Sequence, residues 1–348
     1  MAVDLSRNKF QLAIGLFVIG IAISAIVSTT IGQASISFSE CLQILASKLL
    51  KYDDLTAIPR GHLEIIWNIR FPRALLAILV GASLAIVGAL LQSVTGNPLA
   101  DPHILGISSG ASIGAVIVIV FQSNLLPGNF SISVTAFIFG LITFLIVLGI
   151  ARVGGQLSSL RIILAGVAVS YICTAITSLL ILRSNDIEAV QSIQFWLLGS
   201  LSNAGWEHLG LLLVITLSTI SYSLFQSHSL NALLLGEEDA ATLGINIGQL
   251  KKTVILVAAF NIGSVVAVSG SIAFVGLLVP HMVRMILGVD HRKVLVFTAM
   301  TGGLFMLWAD LAARSIAKPE ELPLGIITSL IGGPFFIWLM IRKGKALH

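Results

Sequence analysis

The chain is a series of long apolar stretches separated by short polar ones. Seven stretches of about 20 residues or more carry no Asp, Glu, Lys or Arg, and the longest runs from Pro102 to Ala151. A helix needs about 20 predominantly apolar residues to cross a hydrocarbon core of about 30 Å. Because these stretches are continuously apolar rather than alternating, they predict membrane-spanning helices and not the strands of a barrel.

Two of the stretches are too long for one helix. Pro127 and Gly128 divide the longest, and the small polar residues at 269–273 divide another. Such residues are typical of turns. With a further apolar segment that begins at Val294, the pattern predicts ten spans, at about residues 10–32, 68–92, 103–121, 131–151, 158–182, 206–228, 250–269, 273–287, 294–315 and 323–342.

Composition supports one membrane domain. Of the 348 residues 56% are hydrophobic and only 10% are charged, and the mean hydropathy is +1.01. These values predict an all-α integral membrane protein in which residues 1–348 form a single domain. Arg7 and Lys9 precede the first apolar run, which is too long for a signal peptide and is interpreted as a retained first helix. No basic run indicates binding to nucleic acid.

Lysine and arginine predict the orientation. With cytoplasmic termini, the inner face receives twelve of these residues and the outer face eight, so the positive-inside rule favours that arrangement modestly. Arg70, Arg73 and Arg314 then lie at the outer face, where cations need an explanation. Asp310 precedes Arg314 by four residues, and the two can pair on one helix face.

No motif for catalysis or ATP binding is present. The sequence lacks a G-x-x-x-x-G-K-[ST] phosphate loop, so any ATP-driven step needs another chain. His281 is interpreted as a helix-end residue rather than a metal ligand, and no enzyme active site is predicted. Cys41 and Cys173 fall in different segments and predict no disulfide framework.

Two segments have local patterns of interest. In the 229–250 loop, Gly236 and Gly244 enclose an acidic stretch, which predicts two short helices. That loop is either a solvated connection or a helix that enters a groove of a partner. The segment NPLADP, residues 97–102, is either a structural turn or a constriction that closes a pathway.

Two stripes of small residues are predicted to be packing faces between helices. Spacings of four residues place the members of each stripe on one helix face, where a neighbouring backbone can approach closely. One stripe is Gly106, Gly110 and Gly114, and the other is Ala77, Gly81, Ala85 and Ala89.

The chain resembles the FecCD family of ABC importer permeases, whose members carry ferric siderophores, haem or cobalamin. The resemblance rests on RFPR at 70–73, GNPLADPHILGISSGASIGA at 96–115, LAGVAVS at 164–170, FWLLGSL at 195–201, LGEEDAATLGI at 235–245, IAFVGLLVPHMVR at 272–284 and ELPLGIITSLIGGPFFIWL at 321–339. It implies a permease of the bacterial inner membrane with ten helices and no cofactor of its own. The implied partners are a second permease subunit, identical or different, two ATPase subunits that hold ATP and Mg, and a soluble substrate-binding protein.

The resemblance also implies roles for particular residues. The expected contact with the ATPase is Glu237, Glu238, Asp239, Ala240, Ala241, Thr242, Leu243 and Gly244. The expected contacts with the binding protein are the outward-facing Arg70, Arg73 and Arg314. The expected cytoplasmic gate is formed by Asn97, Leu99, Ser158 and Ser159, and the FWLLGSL stretch is expected at an outer gate.

The expected function is import of an iron chelate, with a ferric siderophore as first choice on family frequency. Haem and cobalamin are the alternatives within the same class. Two other classes stay open on the residues alone. An ion-coupled secondary transporter would more often carry carboxylates near the membrane midplane, and a non-transporting scaffold would not bind an ATPase.

Overall fold

The structure is a computed structural model that describes residues 7–51, 58–122, 130–153, 159–184 and 186–344. These residues form fifteen α-helices, with a π-helical turn at Ile65–Arg70 and a 3-10 turn at Pro102–Leu105. The α-helices are α1 (Arg7–Thr30), α2 (Phe38–Leu50), α3 (Arg60–Glu64), α4 (Phe71–Thr95), α5 (Ile107–Phe121), α6 (Phe130–Arg152), α7 (Ser159–Leu182), α8 (Ile187–Leu198), α9 (Trp206–Phe225), α10 (Ser227–Leu233), α11 (Glu237–Thr242), α12 (Ile247–Ser269), α13 (Val275–Leu287), α14 (His291–Ser315) and α15 (Leu324–Gly344).

Ten of these helices correspond to the ten predicted spans, which confirms the all-α membrane fold. Eight are long and apolar enough to cross a membrane, and α5 and α13 are shorter apolar helices. The sequence analysis did not predict α2 and α8. Both begin with a side-chain cap, from Ser37 in a capping box with Glu40 and from Asp186, and such caps are sequence signals for a helix start.

Helix α4 lies at the centre of the bundle and packs against α9, α12, α13 and α14. Its small-residue stripe lets those backbones approach. A Cβ at Gly81 would overlap the carbonyl of Gly302 on α14, and a Cβ at Gly302 would lie 2.6 Å from the Cβ of Ala85. Gly88, outside the predicted stripe, is as close to the carbonyl of Gly276 on α13. The predicted packing face of α4 is therefore confirmed, because lipid-embedded helices associate through close backbone contact rather than through hydrophobic burial.

The second stripe packs α5 against α6. A Cβ at Gly110 would overlap the side chain of Thr143, and one at Gly114 would lie 2.5 Å from the carbonyl oxygen of Thr135. Gly106, the first member, precedes α5 with a φ of 73°, a conformation that glycine adopts without strain. The stripe therefore both starts α5 and fixes its distance from α6.

Two breaks in the chain meet inside the bundle. One follows α4, where Gly96 has a φ of 61°, and the other lies between α12 and α13, at the predicted 269–273 break. The His103 ring nitrogen Nε2 is 3.2 Å from the carbonyl oxygen of Ile272, and a Cβ at Gly276 would lie 2.7 Å from the ring of Pro102. Helices α5 and α13 are short because each starts from one of these breaks.

The two ends of the bundle differ in chemistry. We call the end that carries the 229–250 loop and the 97–102 turn the acidic end. We call the opposite end, which carries Arg70, Arg73 and Arg314, the arginine end.

Candidate functional site

A cavity of about 300 Å³ between α5 and α7 is lined mainly by hydroxyl groups. Ser108 and Ser112 lie four residues apart on α5, and Ser170, Thr174 and Ser178 have the same spacing on α7. Residues four apart share one face of a helix, so each helix presents a stripe of hydroxyls to the cavity. The sequence analysis did not identify these residues, although their spacing was a usable signal.

Two of the hydroxyls in this cavity have no hydrogen-bond partner among the described residues. They are Ser108 Oγ and Thr177 Oγ1, and both are buried. Between them, Ser109 Oγ donates to Ser170 Oγ over 3.0 Å and joins α5 to α7. A buried hydroxyl without a partner is costly. Both oxygen atoms are enclosed by protein rather than exposed to the cavity. The exposed side chain of Ser178 in the same lining is one that a polar molecule in the cavity can reach.

The 97–102 turn leads from α4 to this cavity. Asn97 Oδ1 accepts from the backbone N–H of Leu99 over 2.9 Å, and Asp101 Oδ1 accepts from that of His103 over 2.8 Å. These bonds confirm the predicted turn with its aspartate cap. Leu99 is exposed and Asn97 is half-buried, while the His103 side chain lines the cavity. The turn thus leaves the apolar side chain of Leu99 exposed, four residues before the cavity residue His103.

The predicted gate also includes the start of α7. Ser158 lies outside the described residues, and only the backbone of Ser159 is described, as the first residue of α7. The described part of the predicted gate is therefore Asn97 and Leu99, and its gating role stays a prediction.

The 229–250 loop contains the two short helices that its glycines predict. They are α10 and α11, and Gly236 and Gly244 have φ values of 111° and 83°. On α11, only Ala240 is buried, and it faces the bundle. The other residues expected to contact a partner are exposed, namely Glu237, Glu238, Asp239, Ala241, Thr242, Leu243 and Gly244.

The acidic helix α11 is anchored to α12 by an ion pair. Lys251 Nζ lies 2.7 Å from Glu237 Oε1, whose side chain remains 63% exposed. Glu238 and Asp239 have exposed carboxylates beside the exposed apolar side chain of Leu243. Carboxylates around an apolar side chain form a surface that suits a partner with a basic rim and an apolar pocket.

The three arginines at the arginine end are buried and bonded within the chain. Arg73 pairs with Asp310 and Glu321, at 2.9 Å to each. Arg314 donates to the second oxygen of Asp310 over 3.0 Å, which confirms the predicted i, i+4 pair. Arg70 donates to backbone carbonyls that follow α1, including that of Ala34 at 2.9 Å.

The expectation that these arginines face outward is therefore wrong as regards their exposure. Arg70, Arg73 and Arg314 are each less than 10% exposed, because cations at this depth need oxygen ligands from the protein. Together with Glu321 they line a cavity of about 230 Å³ that opens at the arginine end. The docking role itself stays a prediction.

Comparison with known proteins places these features in a family. The sequence model of the FecCD transport family matches residues 19–342. The chain is 39% identical to the hemin transport system permease protein HmuU of Yersinia pestis over 340 residues, 97% of each chain. It is 37% identical to the Fe(3+) dicitrate transport system permease protein FecC of Escherichia coli over 301 residues, 84% of this chain and 89% of that one.

The chain is also similar to a cobalamin permease and to an ABC transporter of known structure. The cobalamin import system permease protein BtuC of Halobacterium salinarum is 40% identical over 291 residues, 83% of this chain and 77% of that one. A solved structure assigned to the metal-chelate type of ABC transporter, in an inward-facing conformation, superimposes with a TM-score of 0.81 at 32% identity. That match covers 95% of this chain and 99% of the other.

Proposed function

The chain belongs to the FecCD transport family, and on this premise we propose that it is the permease subunit of an ABC importer for an iron chelate. The proposed assembly has two permease subunits, two ATPase subunits that hold ATP and Mg, and a soluble binding protein. The proposed location is the bacterial inner membrane, with both chain termini in the cytoplasm. The transport subunit itself carries no catalytic residue in this proposal.

The hydroxyl-lined cavity between α5 and α7 is the observation that carries the proposal. Its lining includes no Asp, Glu, Lys or Arg within the part of the chain that the structure describes. Iron chelates are polar and rich in oxygen, and neutral hydroxyls hydrogen-bond to them without the strong charge pairing that would delay release. Ser178 supplies an exposed hydroxyl in this lining, and Leu99, in the turn that precedes the cavity residue His103, is the proposed gate.

The acidic end is the proposed contact with the ATPase. There the exposed Glu237, Glu238, Asp239 and Leu243 form the docking surface, while the buried Ala240 keeps α11 against the bundle. Movement of the ATPase subunits on binding ATP would then be transmitted to α10 and α11. The ion pair of Glu237 with Lys251 sets the angle of α11.

A charge exchange separates docking from the internal ion pair. Glu237→Lys reverses the surface charge and breaks the pair, and Glu237→Lys with Lys251→Glu restores the pair. If Glu237 acts only through Lys251, the double variant transports normally. If it contacts the ATPase, as we propose, the double variant stays impaired in ATPase binding, measured by co-purification.

The arginine end is the proposed docking site of the binding protein. A carboxylate of that partner can enter the 230 Å³ opening and compete with Glu321 for Arg73. Glu321→Gln should therefore tighten binding of the partner, most clearly at low salt. Glu320→Gln, one residue earlier and exposed, is the matched control and should leave the affinity unchanged.

The proposed cargo is a ferric siderophore, and haem is a second candidate. Haem is favoured by one feature of the cavity, the imidazole of His103 in its lining, since histidine is a common ligand of haem iron. The full-length similarity to HmuU also supports it. His103→Ala should abolish uptake of haem if haem is the cargo, and Thr174→Ala in the same cavity is the control.

Uptake measurements test the proposal as a whole. Labelled ferric siderophores, haem and cobalamin are supplied to a strain that lacks the gene, with and without the gene restored. Restored uptake of one iron chelate that vanadate blocks and a protonophore does not block supports an ATP-driven importer. Uptake that responds only to the protonophore would indicate an ion-coupled secondary transporter instead.

A further inference from the structure

A buried polar cluster joins the 229–250 loop to the last turns of α4. His291, the first residue of α14, is 2% exposed and lies between Ser93 of α4 and Asn231 of α10. Its Nε2 is 2.6 Å from Ser93 Oγ, and its Nδ1 is 2.9 Å from Asn231 Oδ1. Asn231 Nδ2 donates to Asp290 Oδ1 over 2.9 Å. We call Ser93, Asn231, Asp290 and His291 the Asn231 cluster.

The carboxylate of Asp290 fixes the orientation of the Asn231 amide. Burial alone would raise the pKa of Asp290, but hydrogen bonds from Asn231 and from the backbone N–H of Arg292, with the positive charges that follow, lower it overall. A carboxylate only accepts, so the amide directs its NH2 group to Asp290 and its oxygen to His291. That oxygen accepts from the backbone N–H of His291 over 2.8 Å and from its ring Nδ1. The Nε2 of a neutral ring then carries no proton, so it competes with the carbonyl of Ala89, 2.7 Å from Ser93 Oγ, for the single hydroxyl proton of Ser93.

Gln92, next to Ser93 on α4, extends these contacts to the proposed gate. Its Nε2 donates to the carbonyl of Gly276 at the start of α13 over 3.1 Å and approaches that of Ala100 at 3.4 Å. Ala100 belongs to the 97–102 turn. Gln92 Oε1 accepts from the guanidinium of Arg284 on α13. Of two adjacent residues of α4, Ser93 is thus linked to the loop through His291, and Gln92 contacts the turn.

Burial makes these groups move together. Gln92, Ser93, Asn231 and His291 are buried or half-buried, so water does not readily replace a bond that breaks. A displaced α10 would leave the imidazole and the amide without partners unless α4 and α14 followed it.

We propose that the Asn231 cluster, with Gln92, transmits movement of the 229–250 loop to the 97–102 turn. Asn231 is a positioning residue in this role, because its side chain contacts the start of α14 and not the cavity. The inference rests on the proposed function, in which an ATPase moves the loop. It adds to that function the residues through which ATP binding reaches the gate.

The test measures the gate and the ATPase in the same complex. The assembled transporter in proteoliposomes carries Leu99→Cys, and the rate at which a thiol reagent modifies this position is measured with and without ATP. The comparison is Asn231→Ala against Asn246→Ala. Asn246 lies in the same loop and caps α12 by accepting from the backbone N–H of Gln249, so its truncation is chemically matched.

We expect ATP to change the modification rate in the parent and in Asn246→Ala, but not in Asn231→Ala. Without Leu99→Cys, uptake per ATP hydrolysed should fall about tenfold in Asn231→Ala, equivalent to the loss of about 1.4 kcal/mol of coupling. Hydrolysis in the absence of cargo should persist, because the ATPase contact surface is unchanged. An ATP response in Asn231→Ala equal to that of the control overturns the inference.

Two further outcomes are a variant that does not assemble and a parent chain that does not bind the ATPase. If Asn231→Ala no longer assembles, Ser93→Ala tests the opposite side of the cluster without altering the loop, and an intact ATP response there overturns the inference. A parent chain that binds no ATPase contradicts the proposed function, and the inference falls with it. Ser93→Ala combined with Asn231→Ala should be no worse than either alone if both act in one path.

Discussion

Replacement of Asp310 by Asn should strongly destabilise the arginine end. Asp310 is 0% exposed and its two oxygens accept from Arg73 Nε at 2.9 Å and from Arg314 Nε at 3.0 Å. With Arg70 and Glu321, the group holds three arginines and two carboxylates, so one net positive charge remains. The isosteric amide keeps the shape of the site but removes the anion that two buried guanidinium groups share.

The expected loss of unfolding free energy depends on which arginine loses its only anionic partner. Removing one partner of a buried ion pair costs about 3–5 kcal/mol. Arg73 keeps Glu321, whereas Arg314 is left with neutral oxygens such as those of Ser28 and Ile31, so we expect about 3 kcal/mol. At roughly 2 °C per kcal/mol for a large chain, the melting temperature should fall by about 6 °C or more.

Thermal unfolding of the purified chain in detergent, followed by tryptophan fluorescence, measures this shift. Glu321→Gln is the matched control because it removes a carboxylate from the same Arg73, but one whose side chain is 30% exposed. Exposed ion pairs contribute about 0–1 kcal/mol, so its shift should stay near 2 °C or less. Equal shifts for the two variants would refute the argument from burial. Asp310→Asn combined with Arg314→Met should recover part of the loss, since no buried cation is then stranded.

Three other predictions concern packing, pH and the cavity. Gly88→Ala should cost about 1–3 kcal/mol in thermal stability because its Cβ would overlap a carbonyl of α13, whereas Gly149→Ala, which meets no neighbour within 4 Å, should be neutral. Hydrogen bonds to the backbone and side chain at the start of α2 lower the pKa of Glu40, so α2 keeps this stabilisation above the ordinary pKa and loses it on acidification. Hydrogen exchange of α2 at decreasing pH detects the loss, which Glu40→Gln should make independent of pH. Ser178→Ala should slow chelate uptake with little change in the melting temperature, because this serine lines the cavity with an exposed side chain.

The ten spans could be predicted because lipid imposes a strong and local constraint on sequence. Each span needs an uninterrupted apolar stretch, and even the short α13 was found from the small polar residues that precede it. Helices α2 and α8 were missed because length and hydropathy alone do not distinguish a short surface helix from a loop. Their caps at Ser37 and Asp186 were the available signals.

The candidate sites were predictable only where one segment contains the whole site. The acidic loop is local, and its two helices follow from Gly236 and Gly244. The hydroxyl cavity and the Asn231 cluster each combine residues far apart in the chain, so no single segment identifies them. The burial of Arg73 could not be predicted either, because its partner Asp310 lies 237 positions away and is brought close by the packing of α4 on α14.

The packing of α4 on α14 also connects the two proposed docking surfaces. At the arginine end the two helices share the pair of Arg73 with Asp310, and at the acidic end they share the contact of Ser93 with His291. Between these points Gly81 and the backbone of α14 are in direct contact. Two helices fixed at both ends and in the middle resist sliding past each other, since any shift would break buried polar contacts or create overlap. In the proposed assembly a partner at either end would therefore act on the same rigid pair. Docking of the binding protein at the arginine end and movement of the ATPase at the acidic end would then influence each other through it.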